Sequence, residues 1–145
     1  MRIYLDNCCY GRPFDDNSNE TVKLESDATL YIRERIIHKE LDLVTSFMIH
    51  YENEQKPDEH QKKEIENFFK TYRKLHIGVE FADTLTEIVQ SIMTAGIKRK
   101  DAYHIACSIL AECDYFITVD KRLLNFQSEQ IKIINPIEFV KILEE

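Results

Sequence analysis

Four carboxylates stand where an open α/β sheet would bring them together. Asp6 closes the apolar run Ile3-Tyr4-Leu5, and Asp120 follows Tyr115-Phe116-Ile117-Thr118 after one intervening residue. Glu52 lies one helical stretch past Leu41–Ser46, and Asp101 opens a helix rich in small apolar residues. Ligands of open α/β sheets bind outside the carboxyl ends of the strands, so acids at strand ends converge on one cleft. Carboxylates crowded in this way repel one another and lose hydration, and a cation or shared protons must compensate. Oxygen-only donors select a hard cation, magnesium or manganese.

The elements that must position these acids alternate along the chain. Short apolar runs predict strands at Arg2–Asp6, Leu41–Ser46, Ile77–Phe81, Tyr115–Thr118 and Ile131–Ile134. Helical periodicity predicts helices over Glu20–Lys39, Phe47–Glu52, Asp58–Lys74, Asp83–Ala95 and Asp101–Cys113, with Asp83 as a cap and Gly96 as a stop. Asn135-Pro136 starts a last helix, with Asn as cap and Pro in its first turn. Asn7–Asn19, with Gly11, Pro13 and an Asp-Asp-Asn-Ser-Asn tract, reads as a loop. This order predicts an α/β fold, a single-domain three-layer sandwich over residues 1–145 with a mostly parallel sheet flanked by helices.

Bulk composition is that of an ordinary globular chain. The 145 residues suffice to bury a core without staples. No apolar run is long enough to span a bilayer and no signal-peptide pattern opens the chain, which predicts a cytoplasmic protein with no membrane association. Cys8, Cys9, Cys107 and Cys113 lack zinc-type spacing and read as reduced packing thiols. The net charge of −7 argues against a general phosphate binder. An acidic metal site accounts for part of that charge, and Lys98-Arg99-Lys100 and Lys121-Arg122 adjoin the acids as candidate phosphate contacts.

Four local patterns together resemble the PIN-domain family over nearly the whole chain. They are Ile3-Tyr4-Leu5-Asp6, Thr45-Ser46 leading to Glu52, Lys100-Asp101-Ala102-Tyr103-His104-Ile105-Ala106-Cys107, and Ile117-Thr118-Val119-Asp120-Lys121. The resemblance implies a magnesium- or manganese-dependent endoribonuclease similar to VapC-type toxins, with an RNA substrate, a cognate antitoxin protein and a homodimeric state as expectations. It further implies that Asp6, Asp101 and Asp120 are metal ligands and that Glu52 ligates metal or positions the nucleophilic water. Thr118 is expected to orient Asp120 or touch phosphate, and Ser46 to support the site from behind.

The chain departs from the pattern after its first acid. PIN domains commonly continue with Thr or Ser and then Asn or Ser, whereas Asn7 and Cys8 stand here. The support of Asp6 is therefore expected to be rearranged, with Asn7 partly substituting from one position away. The same feature favours the alternative of a catalytically weak or inert PIN-like module that binds RNA or protein. A haloacid-dehalogenase-like phosphatase would need an acid at position 8, and a receiver would need an acidic pair on the first strand. Taken singly, Asp101 could be a helix-dipole acid, Asp120 a cap, and Glu52 an exposed helical acid with Glu54 as rival. His104 and the aromatic residues Phe68, Phe69, Tyr72 and Tyr103 read as packed core.

Overall fold

A computed structural model describes all residues, Met1–Glu145. The chain runs β1 (Arg2–Leu5), α1 (Asn7–Gly11), a 3-10 turn (Arg12–Phe14), α2 (Glu20–Ile37), β2 (Asp42–Ser46), α3 (Phe47–Glu54) and α4 (Glu59–Tyr72). It continues with β3 (Arg73–Ile77), a second 3-10 turn (Val79–Phe81), α5 (Ala82–Thr94), α6 (Arg99–Leu110), β4 (Tyr115–Ile117), α7 (Lys121–Leu124), β5 (Lys132–Ile134) and α8 (Pro136–Leu143). All five strands are parallel, in the order β3-β2-β1-β4-β5. No helix is long and apolar enough to cross a membrane.

Parallel neighbours cannot be joined by hairpins, so every connection passes through helix or irregular chain. The first two crossovers step from β1 to β2 to β3, and the third reverses across the sheet to β4. Right-handed crossovers therefore put α2 and α4 on one face and α5 and α6 on the other. The central strand β1 is covered on both sides, and Ile3, Tyr4 and Leu5 have no solvent exposure. That accounts for its unbroken apolar sequence.

Helix starts are set by side chains at the strand ends. Asp6 accepts a hydrogen bond from the Asn7 backbone N–H, Ser46 from that of Ile49, and Asp120 from that of Arg122. Ser46 is the last residue of β2, Asp6 follows β1 directly, Asp120 lies three residues past β4, and each caps the helix that comes next. Asn135 caps α8 as the sequence indicates.

Several boundaries differ from the sequence reading. The third strand is Arg73–Ile77, four residues earlier than expected, and Val79–Phe81 is a 3-10 turn. This strand lies at the sheet edge and is only partly buried, so it carries Arg73, Lys74 and His76 without an apolar run to mark it. The stretch expected as a loop from Asn7 folds at once into α1. Asp83 does not cap α5, whose first helical residue is Ala82, and acts as an acid in the first turn. Likewise α6 begins at Arg99, and Asp101 sits inside its first turn.

Candidate active site

The chain leaving β1 turns toward β2, while the chain leaving β4 turns toward β5. Between them lies the topological switch point, where divergent connections open a crevice at the strand ends. Leu5 pairs with Ile117 across it, and the Asp6 N–H donates to the Ile117 carbonyl at 2.9 Å. Asp6 and Thr118 are thereby placed side by side. Asp6 is buried, and the Thr118 hydroxyl donates to its Oδ2 at 2.8 Å. The same hydroxyl oxygen accepts the Asp120 N–H at 3.1 Å, so Thr118 ties both acids together.

The Asn7 side chain does not support Asp6, contrary to expectation. The Asn7 backbone N–H donates to Asp6 Oδ1 at 2.8 Å, whereas Asn7 Oδ1 is buried without a partner. The Cys8 thiol fills the remaining place, 3.4 Å from Asp6 Oδ2 and 3.5 Å from the Thr118 hydroxyl. A thiol is a weak donor, so it packs beside the carboxylate more than it holds it. The other cysteines are buried packing residues without disulfides; burial pushes the Cys107 and Cys113 thiols up to about 12.

Glu52 reaches the site from α3 and meets His104 Nε2 of α6. His104 Nδ1 lies 2.6 Å from the Tyr4 hydroxyl, which in turn lies 2.6 Å from Ser46 Oγ. Ser46 is thereby linked to Glu52 through Tyr4 and His104. His104 is buried with both ring nitrogens partnered, in keeping with its reading as a packed histidine, while Tyr4 reads only as part of an apolar strand. The available signal was a polar ring on an apolar helix face, three residues past Asp101, since buried polar atoms require partners.

The electrostatics follow from this crowding. Burial raises the Asp101 carboxyl, and Asp6, Asp120 and Glu52 raise it further against the opposing pull of His104. Asp101 has neither a hydrogen-bond nor an ion-pair partner for its side chain. Burial also pushes Glu52 up, but His104, Lys100 and Lys56 bring it below the usual range. Asp120 is lowered despite burial by Arg122, whose Nη2 lies 3.2 Å from Oδ2. Burial alone would depress His104, yet the Glu52 bond and the charges of Asp6, Glu52 and Asp101 carry it above the ordinary imidazole value. With Glu52 turned to His104 and Asp120 to Arg122, no three acids, histidines or thiols converge tightly enough to grip an ion as they stand.

A testable stability effect follows at Asp101. A carboxyl raised by folding contributes most below its unfolded pKa, and that contribution is lost as pH rises through the folded value. At neutral pH the metal-free protein thus carries a repulsion that Asp101→Asn removes, partly screened because the residue is half-exposed. The variant in EDTA is expected to melt about 2–4 °C above wild type at pH 7. The gap should close as pH falls below about 4. Thermal melts across that range check it, and an equal or lower Tm at pH 7 rejects it.

Around the acids lie exposed cations. Lys98, Arg99, Lys100, Lys121 and Arg122 are all solvent-accessible. Arg12 is committed elsewhere, forking between Glu25 and Asp15 at 3.0 Å each. A cleft of about 560 Å³ between Met1, Cys113 and Lys132 lies at the opposite end of β1 and β4 and plays no part in this site.

Comparison with known proteins adds evidence about the fold. No protein-family model matches the sequence, and no curated protein matches it. Among solved structures, a chain of VapBC2 from Rickettsia felis, bound to a DNA fragment from their promoter, is similar with a TM-score of 0.61 at 12% identity. The match covers 93% of this chain and 98% of that one. A chain of FitAcB from Neisseria gonorrhoeae gives 0.56 at 16% identity over 92% and 97% of the two chains. A chain of FitAB bound to an IR36 DNA fragment gives 0.61 at 17% over 93% and 95%. These likenesses bear out the expected α/β fold with its parallel sheet flanked by helices.

Proposed function

We propose that this protein is a magnesium- or manganese-dependent endoribonuclease and the toxin of a toxin–antitoxin pair. The observation that carries the reading is the Asp101 carboxylate, without a protein partner and raised first by its burial and then by Asp6, Asp120 and Glu52 around it. Such a set of oxygen donors fits a hard divalent cation, which would relieve the repulsion. Its position at the switch point between β1 and β4, and the likeness of fold to VapBC2 and FitAB, support the same reading.

Asp6, Asp101 and Asp120 would hold the ion, with Glu52 as ligand or as the residue that orients the attacking water. A bound divalent ion would supply a Lewis acid at the scissile phosphate and a lowered pKa for water. Thr118 fixes Asp6 by donating to it and holds the backbone at Asp120. Asp120 would exchange its bond to Arg122 for the cation, leaving the guanidinium free for phosphate. Lys98, Arg99 and Lys100 neutralise the flanking backbone, giving a salt-sensitive affinity. Hydrolysis at such a site would leave 5′-phosphate and 3′-hydroxyl ends. The antitoxin partner and the homodimer belong to the same proposal.

The test is cleavage of a labelled panel of structured and single-stranded RNAs with magnesium, manganese or EDTA. Metal-dependent cutting with 5′-phosphate ends is expected. A folded protein that neither cuts nor binds either ion would reverse the reading in favour of an inert RNA- or protein-binding module, which the Cys8 thiol beside Asp6 would then explain.

A further inference from the structure

Behind Glu52 the polar side chains form one buried chain. Ser46 Oγ, the Tyr4 hydroxyl and the His104 ring follow one another, and His104 Nε2 ends on Glu52 Oε1. Ser46, Tyr4 and His104 have no solvent exposure, so none of them can find water if a neighbour moves away. Two of them are pinned from elsewhere as well. Ser46 Oγ accepts the Ile49 N–H at 3.2 Å, and the Tyr4 ring stacks on Phe116 with centroids 5.3 Å apart. The residues come from β1, the end of β2, α3 and α6, so the chain spans four elements.

Direction follows from the last link. An ionised carboxylate only accepts, so His104 Nε2–H is the donor to Glu52. The opposite ring nitrogen is fixed by Tyr4, and rotation of the imidazole would break both bonds at once. Glu52 Oε1 is thereby occupied, while Oε2 has no hydrogen-bond partner in the protein. A carboxylate held by one oxygen keeps its other oxygen wholly open to a further partner.

We propose that His104 and Tyr4 are positioning residues that aim Glu52, so that it presents its unpartnered oxygen, Oε2, to the cation or its water. The inference rests on the metal-site reading above and assigns a function to residues that would otherwise be packing. Partners that orient a ligand from behind commonly matter about 10- to 100-fold in metal affinity or activity.

The experiment measures Mn²⁺ affinity in the absence of RNA for wild type, Tyr4→Phe, His104→Gln and His104→Phe, with melts to confirm folding. His104→Phe is expected to weaken Mn²⁺ binding by about 10-fold or more. His104→Gln, whose amide can still donate to Glu52, should recover most of that loss, and Tyr4→Phe should fall between them. Wild-type affinity in a folded His104→Phe, or a Gln variant no better than Phe, would overturn the proposal. A second readout needs no metal: the His104 Nε2–H proton should appear far downfield in the metal-free protein, shift in Glu52→Gln, and exchange faster in Tyr4→Phe. Its absence, or indifference to both substitutions, would also overturn the proposal. If wild type fails to bind Mn²⁺ while the proton behaves as expected, the metal reading falls and the positioning of Glu52 stands.

Discussion

Asp6→Asn is expected to lower RNA cleavage about a thousandfold or more, equivalent to about 4 kcal/mol of transition-state stabilisation. The substitution keeps the shape of the side chain and removes its charge. An amide still accepts one of the two hydrogen bonds that Asn7 N–H and the Thr118 hydroxyl donate, and the Thr118 hydroxyl can turn to accept from the new NH₂. The fold therefore survives, and relief of repulsion toward Asp101 offsets part of the lost bonding. Initial rates alongside thermal melts separate the two effects. A folded variant that retains more than a tenth of the wild-type rate would remove Asp6 from the chemistry.

Phe116→Ala is expected to cost about 3–5 kcal/mol, the range for truncating a fully buried phenylalanine. Phe116 has no solvent exposure and lies at the centre of β4, paired with Tyr4 across the sheet. The two rings are nearly parallel, with an interplanar angle of 9°. Truncation opens a cavity against the ring that fixes His104, so the stability loss should carry a loss of activity with it. Against a typical total of about 5–15 kcal/mol, the variant would be only marginally folded. Urea unfolding of both proteins gives the difference directly, and a loss below about 1.5 kcal/mol would show that the site under Tyr4 collapses without consequence.

Asp6 and Asp120 are legible as acids that follow apolar runs. That Asp6 and Ser46 also cap the helices beginning after them is not legible, because the helix after Asp6 starts within a stretch that reads as a loop. Asp101 was legible as an acid at a helix start, although its helix begins two residues earlier. Arg99 and Lys100 are unfavourable next to a helix N-terminus, and they displaced the expected boundary. The edge strand Arg73–Ile77 was misplaced because an edge needs no apolar pattern. The link from Tyr4 to His104 could not be read at all. The two are 100 positions apart and meet only once the sheet order sets β1 beside the helix that precedes β4. Cys8 shows the opposite case. The departure was visible, but only the packing shows that its thiol stands between Asp6 and Thr118.

Titration of Mn²⁺ into isotope-labelled protein, followed by paramagnetic broadening of backbone resonances, tests the central claim most directly. Saturable broadening centred on Asp6, Asp101, Asp120 and Glu52, and abolished in Asp101→Asn, is the expected result. Broadening spread over the exposed acids of α2 and α4, or no saturable broadening at all, would contradict the assignment of these four carboxylates to one metal site.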